Sequence, residues 1–238
     1  MKNVIKKPNN KQGNLFYSKK EMVTMSIANQ ILAIAVFLCV IVVLFNYYLS
    51  TAEIEGVSML PTYNVSYNTT TKENQDIAYY TKYFSYDRGD VVIPDLIDEN
   101  GERFLIKRLI AKGGDKVEFI NGQLYVNEKI VNETYIVSNA SNLNMIKTYM
   151  LRKDKSNDKT NIETWNHITL HSFELNHISF TVDENYVFYL GDNRGISYDC
   201  ASYGPKPESI IKAKVVFVVP YNQTLVQYLW TSFLNLFK

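Results

Sequence analysis

The segment "RFLIKRLIAKGGDKVEFINGQLYVN" (residues 103–127) decides the fold class of this chain. Residues 103–111 form an extended apolar run, which Gly113-Gly114-Asp115 then breaks. The runs "KVEFI" and "QLYVN" follow, and they are separated by Asn121-Gly122, the strongest short signal for a β-hairpin. The segment therefore predicts an extended strand followed by a two-stranded hairpin.

The chain on either side of this segment also has the character of strands. A β-branched strand starts after Gly89-Asp90, and residues 185–204 hold a strand that runs into a glycine-punctuated loop. Residues 210–220 are a further strand, and the 18 Tyr and 12 Phe residues favour strand-rich structure. No internal repeat and no alternation of strands with helices is present in the sequence. We therefore expect residues 50–238 to form an all-β, mostly antiparallel domain.

An apolar stretch near the N-terminus, "IANQILAIAVFLCVIVVLFNYYL" (residues 27–49), is about as long as the roughly 20 residues that a helix needs to cross a bilayer. Six lysines and one glutamate precede this stretch, and two glutamates follow it closely. By the positive-inside rule, residues 1–26 form a basic cytoplasmic tail, residues 27–49 a single transmembrane anchor, and residues 50–238 an extracytoplasmic domain. The expected location is the cell membrane.

A cleavable signal peptide is the alternative interpretation of the apolar stretch. Ser50-Thr51-Ala52 offers a small-x-small cleavage site directly after it. The long segment before the stretch, and the length of the stretch itself, favour a retained anchor. Both interpretations place the β domain outside the cytoplasm.

Composition argues against several other classes of protein. The formal net charge of +1 gives no bulk electrostatic attraction to nucleic acid, so no nucleic-acid partner is expected. His167 and His171 have helical spacing but lie in a segment with strand character and without an HExxH motif, so neither a metal nor a cofactor is expected. Cys39 and Cys200 are poorly placed to pair, so no disulfide is expected.

A serine follows the anchor in "EGVSMLPT" (residues 55–62), between a glycine and a proline. A serine hydroxyl is a weak nucleophile until a base removes its proton. The segments "FLIKRLIAKGGDKVEF" and "GDNRGISYD" contain no histidine, and their candidate groups are Lys107, Arg108, Asp192 and Asp199. Arginine keeps its proton, whereas burial lowers the pKa of a lysine enough for it to act as a base.

The strand pattern does not say which of the two basic residues is buried. Lys107 shares one strand face with Leu105 and Leu109, and Arg108 shares the other face with two isoleucines. Both faces are apolar, so the buried face stays open at this point.

Four segments together resemble the bacterial type I signal peptidases, membrane-anchored Ser/Lys endopeptidases. They are "EGVSMLPT", "RGDVVI", "FLIKRLIAKGGDKVEF" and "GDNRGISYD", in the family's order and after an N-terminal anchor. The resemblance implies a signal-peptidase-like β fold and cleavage of signal peptides from exported preproteins. It also implies a small-x-small cleavage motif, a site at the outer face of the membrane, contact with membrane lipid, and no cofactor.

The same resemblance implies roles for individual residues. Ser58 corresponds to the nucleophile and Lys107 to the general base. Ser197 corresponds to a serine that helps to orient the lysine, and Asp199 to an aspartate that holds the site together by charge pairing.

The sequence departs from the family pattern at two positions. The family often has an arginine two residues after the aspartate, but Ala201 stands there, so Arg194 or Arg108 would have to replace it. Some members place a hydroxyl two residues before the nucleophile, where this chain has Gly56. We therefore expect the backbone N–H of Ser58 to serve the oxyanion hole, and Gly56 to let a substrate strand approach closely.

These departures leave a second hypothesis open, a non-catalytic, membrane-anchored assembly or binding factor with a signal-peptidase-like fold. Residues 128–183 show no family pattern, and we expect a variable insertion there. Residues 225–238, "LVQYLWTSFLNLFK", are too short to span a bilayer as a helix. They lie either in the membrane interface or packed on the domain.

Overall fold

A computed structural model of the protein describes residues 19–98, 101–153 and 159–237. Residues 1–18, most of the predicted basic tail, lie outside the described residues. The chain divides into two compact units, Met1–Tyr47 and Tyr48–Lys238, and each is described by itself.

A long helix, α1 (Lys19–Tyr48), makes up the described part of the first unit. Its stretch Val23–Tyr48 has 26 residues and is long and apolar enough to cross a membrane. At 1.5 Å per residue this stretch measures about 39 Å, which exceeds the roughly 30 Å of a hydrocarbon core. Its apolar side chains are exposed and not packed in a core, as in Phe37 and Val43.

The second unit consists mainly of short strands. In chain order these are β1 (Ser50–Glu53), β2 (Ile77–Thr81), β3 (Val91–Asp98), β4 (Gly101–Phe104), β5 (Lys107–Lys112), β6 (Lys116–Ile120), β7 (Gln123–Val126), β8 (Lys129–Ile130), β9 (Ile168–Glu174), β10 (His177–Val182), β11 (Tyr186–Leu190), β12 (Lys206–Pro207) and β13 (Ile211–Val219). The helices are α2 (Asn139–Met145), a π-helix (Ile146–Met150), α3 (Cys200–Tyr203), α4 (Leu225–Asn235), and 3-10 turns at Asn161–Thr164 and Glu208–Ile210.

The strands form two antiparallel sheets. The first has the order β1-β2-β13-β3-β5-β11-β12, with β4 paired to the far end of β3. The second has the order β8-β7-β6-β10-β9. The pairings between described strands are antiparallel, which confirms the predicted all-β, mostly antiparallel class.

The segment 103–127 contains the predicted hairpin but not one continuous first strand. β6 and β7 pair across Asn121 and Gly122, whose φ angles of 49° and 80° are the two positive values that a type I′ turn requires. The apolar run before it is split between β4 and β5, which pair with different halves of β3. This break makes Lys107 the first residue of β5.

Aromatic side chains join the two sheets. Phe180 of β10 and Phe188 of β11 belong to different sheets, and their ring centroids are 5.1 Å apart. Trp165 packs edge-on against Phe180 at 5.7 Å. All three belong to the main core cluster, which also contains Leu109 from β5 and Phe119 from β6. The core therefore fixes β5, the strand that carries Lys107, against the second sheet.

The expected insertion at residues 128–183 contains regular structure. It supplies β9 and β10 of the second sheet, and α2 and the π-helix pack into the core through Met145, Ile146 and Met150. This segment also carries polar side chains that lie buried beside the candidate site.

Candidate active site

Ser58 lies on a tight turn after β1. The turn is closed by hydrogen bonds from Leu60 N–H to Val57 O (3.2 Å) and from Thr62 N–H to Met59 O (2.9 Å). Met59 is only 2% exposed and belongs to the smaller core cluster, whereas Ser58 is half-buried. The neighbouring methionine therefore anchors the turn, and the serine hydroxyl is presented at the edge of the core.

Lys107 is buried at the start of β5, with 2% of its surface exposed. Its Nζ lies 2.8 Å from Ser58 Oγ and 3.1 Å from the carbonyl oxygen of Ile106. Burial lowers the pKa of Lys107, because a desolvated ammonium loses its hydration; the carboxylates of Asp199 and Asp192 oppose this effect. The structure thus places a buried amine within hydrogen-bond distance of the serine.

The next residue, Arg108, turns to the other side of the strand. Its guanidinium makes two hydrogen bonds to the Asp192 carboxylate, at 2.9 and 2.7 Å, and one to the carbonyl oxygen of Gly89 at 2.8 Å. Thr62 also donates its hydroxyl to Asp192. This bidentate pair ties β5 to both the loop after β11 and the turn that carries the serine.

The loop after β11 holds the backbone of the serine turn directly. Asn193 donates its backbone N–H to Ser58 O at 3.0 Å and its side-chain amide to Val57 O at 3.0 Å. Gly191 lies against the same turn, because a Cβ added to it would overlap both Ser58 O and Ser197 Oγ. Only glycine permits this approach of the two segments.

Ser197 and Asp199 are both 1% exposed. The Ser197 hydroxyl is close enough to Asp199 to favour the ionised carboxylate. Among the described residues, however, the Ser197 hydroxyl has no hydrogen bond of regular geometry. The Asp199 carboxylate accepts the backbone N–H groups of Gly191 (2.7 Å) and Ala201 (3.0 Å). Burial raises the pKa of Asp199, and these N–H donors and the charge of Lys107 act against that rise.

The expectation that an arginine replaces the partner missing at Ala201 is wrong. Arg108 pairs with Asp192, and Arg194 pairs with Glu133. Asp199 instead caps the N-terminus of α3 and binds the loop through backbone donors. A carboxylate with two N–H donors has its hydrogen-bonding needs met without a guanidinium, which is why Ala201 is tolerated there.

Arg194 has a buried ion pair that sequence reasoning missed. The side chains of Arg194 and Glu133 are 0% and 1% exposed, and Nη2 lies 2.6 Å from Oε1. Arg194 also donates to Asn142 Oδ1, and Asn142 Nδ2 donates to Glu133 Oε2 at 2.7 Å. On the side of the loop, Arg194 Nε donates to Gly191 O at 3.1 Å.

Glu133 and Asn142 lie in residues 128–183, where the sequence alone showed no motif, so no local signal marked them. Tyr135, from the same segment, lies under the Arg108 guanidinium at 3.9 Å from the ring centroid. The segment therefore contacts both arginines beside the site.

Gly56 has a φ of +80°, which favours glycine, and its carbonyl oxygen accepts the Asn64 side-chain amide at 2.9 Å. A Cβ added to Gly56 would meet no atom within 4 Å, so the space beside it is open.

Comparison with known proteins gives a family for this arrangement. Residues 27–220 match the family model described as signal peptidase, peptidase S26. A signal peptidase I of Streptococcus pneumoniae serotype 4 is 27% identical over 165 residues, which are 66% of this chain and 76% of the relative. A signal peptidase IB of Staphylococcus aureus is 27% identical over 194 residues, which are 79% of this chain and 86% of the relative.

A solved signal peptidase I from Enterococcus faecalis V583 is 23% identical, with coverage of 56% of this chain and 98% of that chain and a TM-score of 0.36. The assignment rests on the family match, which spans the apolar helix, the serine turn, β5 and the loop after β11. This chain belongs to the signal peptidase family, peptidase S26.

Proposed function

We propose that Ser58 and Lys107 form the catalytic pair of this peptidase and that its substrates are the signal peptides of exported preproteins. The observation that carries the proposal is the 2.8 Å distance between Lys107 Nζ and Ser58 Oγ, with the lysine 2% exposed. Burial lowers the pKa of a lysine in this setting, so the neutral amine is available as a base at a lower pH than that of a free lysine.

The buried amine suits both halves of the reaction. A neutral Lys107 that donates one N–H to Ile106 O keeps its lone pair for the Ser58 hydroxyl proton. As Nζ takes that proton, Oγ bonds to the scissile carbonyl carbon and the carbonyl electrons move to its oxygen. When the carbonyl re-forms, the C–N bond breaks and Lys107 returns the proton to the leaving amine. Water then displaces Oγ from the acyl-enzyme by the same route, again with Lys107 as base.

The remaining site residues have supporting roles in this proposal. The Ser58 backbone N–H is the donor that the serine turn offers to the developing oxyanion, since Gly56 has no hydroxyl. Asp199 holds Gly191 and thereby the contact between the loop and the serine turn. Ser197 positions the pair from beside Gly191, since its hydroxyl and Ser58 O both lie next to the space that a Cβ of residue 191 would occupy.

The membrane arrangement completes the proposal. The lysine-rich segment before α1 and the glutamates after it favour an N-terminus in the cytoplasm and a catalytic unit at the outer face of the cell membrane. The open space beside Gly56 suits an extended peptide with small side chains, in line with a small-x-small preference. Membrane lipid is the expected surroundings, and nucleic acid is not a partner.

A non-catalytic factor with the same fold accounts less well for Lys107. Burying a lysine without a paired carboxylate costs free energy, and a protein that only binds or assembles gains nothing from it. A half-buried Ser58 beside a buried Lys107 amine is the arrangement that a peptidase needs.

The proposal is tested by cleavage of a model preprotein by the purified, detergent-solubilised chain. Ser58→Ala should lower kcat by more than about 10⁴-fold, because the acyl-enzyme has no oxygen on which to form. Ser66→Ala, at an exposed serine outside the site, is the matched control and should keep full activity. Equal activity of the two variants would overturn the assignment of Ser58.

A further inference from the structure

The C-terminal helix α4 exposes a continuous apolar surface. The helix, "LVQYLWTSFLN", contains no charged residue. Its exposed side chains include Val226 (76%), Leu229 (47%), Trp230 (62%) and Phe233 (50%), and Phe237 after the helix is 75% exposed. Large apolar side chains that are exposed singly are ordinary, whereas five on one helix face form a patch of the kind that marks an interaction site.

Helical spacing separates this patch from the polar residues of α4. The five apolar residues follow the i, i+3, i+4, i+7 and i+11 pattern of a single helix face. Gln227, Thr231 and Asn235 lie on the opposite side, at i, i+4 and i+8. Polar and apolar residues therefore segregate, and α4 is amphipathic although its polar side consists of uncharged residues.

A third side of α4 attaches it to the first sheet. The ring of Tyr228 stacks on Phe217 of β13 at 5.6 Å, and Phe217 stacks on Tyr79 of β2 at 4.6 Å. Thr224 and Gln227 form a capping box that fixes the start of the helix. The helix is therefore held in place by the domain, while its apolar face points away from that attachment.

The strand that precedes α4 indicates what covers the apolar face of this helix. β2 pairs with β13 on one side and with β1 on the other. β1 begins at Ser50, two residues after α1 ends at Tyr48. Adjacent strands are about 4.8 Å apart. β13 therefore lies within about 10 Å of β1, the strand that follows α1.

We propose that α4 is a second membrane-attachment site, with its apolar face inserted into the interfacial layer of the bilayer that α1 crosses. This inference rests on the proposed membrane attachment through α1. At 11 residues, α4 measures about 16 Å and is too short to span, whereas tryptophan and phenylalanine suit the interface. Attachments through β1 and β13, the two strands that flank β2, would restrict the rotation of the catalytic unit about a single linker.

Tryptophan fluorescence tests this proposal, because the chain has two tryptophans and Trp165 is buried in the core. The full chain is reconstituted into phosphatidylcholine vesicles with bromine near either the headgroup end or the methyl end of the acyl chains. The difference between the unaltered chain and Trp230→Phe isolates the signal of Trp230. We expect its emission to be quenched, and more strongly by bromine near the headgroup.

Two variants make the test specific. Leu229→Glu combined with Phe233→Glu should abolish the lipid quenching of Trp230, and Thr231→Glu, on the polar side of α4, should leave it unchanged. If neither brominated lipid quenched Trp230, the proposal would be overturned. It would also be overturned if quenching disappeared as the protein density in the vesicles was raised, because a second copy of the chain would then cover this face.

Cleavage of a soluble peptide in detergent separates this proposal from the proposed function. The helix variants should cleave the peptide as fast as the unaltered chain. If the unaltered chain failed to cleave while Trp230 was still quenched, the catalytic assignment would fall and the attachment would stand.

Discussion

Lys107 Nζ and Ser58 Oγ lie 2.8 Å apart, although 49 positions of sequence separate the two residues. The distance is set by three separate elements: β5, which starts at the lysine; the turn after β1, which Met59 anchors in the core; and the loop after β11, whose Asn193 holds the backbone of the turn. In the proposed mechanism this amine serves as the base, so the serine needs no histidine.

The pH dependence of cleavage should report the buried lysine. Burial lowers the pKa of Lys107 below its ordinary value of 10.5, and the base works only when deprotonated. We therefore expect kcat/KM to rise with pH in a range below 10.5. Lys107→Arg should be inactive at every pH, because arginine keeps its proton. A rise that occurs only near the ordinary lysine pKa would contradict the assignment.

Removing the amine should stabilise the fold. Between the lowered pKa of Lys107 and 10.5, the unfolded chain binds a proton that the folded chain does not, so the free energy of unfolding increases with pH in this window. Lys107→Met should remove that slope and raise the free energy of unfolding at neutral pH by about 0.5–2 kcal/mol, since it replaces a buried polar amine that has lost its hydration. Thermal unfolding in detergent across pH measures both effects. Lys112→Met, on the same strand but partly exposed, should not remove the slope.

Gly191→Ala should damage the site more than the fold. The added Cβ would overlap Ser58 O and Ser197 Oγ, and a backbone atom of the serine turn cannot move aside freely. We expect a stability loss of about 1–3 kcal/mol, as for other overpacked sites, together with a fall in kcat. Gly195→Ala is the control in the same loop, because its Cβ would meet no atom within 4 Å. Comparable kcat values for the two variants would show that the contact at Gly191 is unimportant.

Glu133→Gln should destabilise the protein strongly. It leaves the Arg194 guanidinium buried without its counter-charge, which typically costs about 3–5 kcal/mol. The double variant Glu133→Leu/Arg194→Met removes both charges and should recover most of that stability, as measured by chemical unfolding. Its kcat should stay low, because Arg194 no longer holds Gly191 O. Full activity of the double variant would mean that the pair serves the fold alone.

The anchor should be retained in the mature protein. Ser50–Glu53 forms β1 and pairs with β2, Ala52 opposite Ala78, so the small-x-small sequence is not a free extended peptide. N-terminal sequencing should find no chain that starts at Glu53. In intact protoplasts, external protease should remove a C-terminal tag and spare an N-terminal one. A protected C-terminal tag would refute the proposed orientation.

Local sequence was sufficient where local chemistry decides the structure. Asn121-Gly122 determines the hairpin of β6 and β7, because few residue pairs adopt two successive positive φ angles. The high apolar content of Val23–Tyr48 likewise marks a helix that needs no protein core around it.

Local sequence failed where distant segments decide burial. Strand periodicity gave Lys107 and Arg108 equally apolar neighbours, and the choice between their faces came from Asp192, 84 positions from Arg108, which draws the guanidinium to its own side. Glu133 is buried only because Arg194, 61 positions away, neutralises it. Neither pairing leaves a trace in the spacing of nearby residues.

The Glu133–Arg194 pair also limits how the protein can be recombined with its relatives. The arginine belongs to a segment that carries a recognisable family motif, whereas its counter-charge comes from residues 128–183, where the sequence alone showed no such motif. A chimera that exchanges residues 128–183 alone would enclose a bare guanidinium beneath the active site, and so would a shortened version built for crystallisation. The two segments form one exchangeable module, and successful grafts must carry both charges or neither.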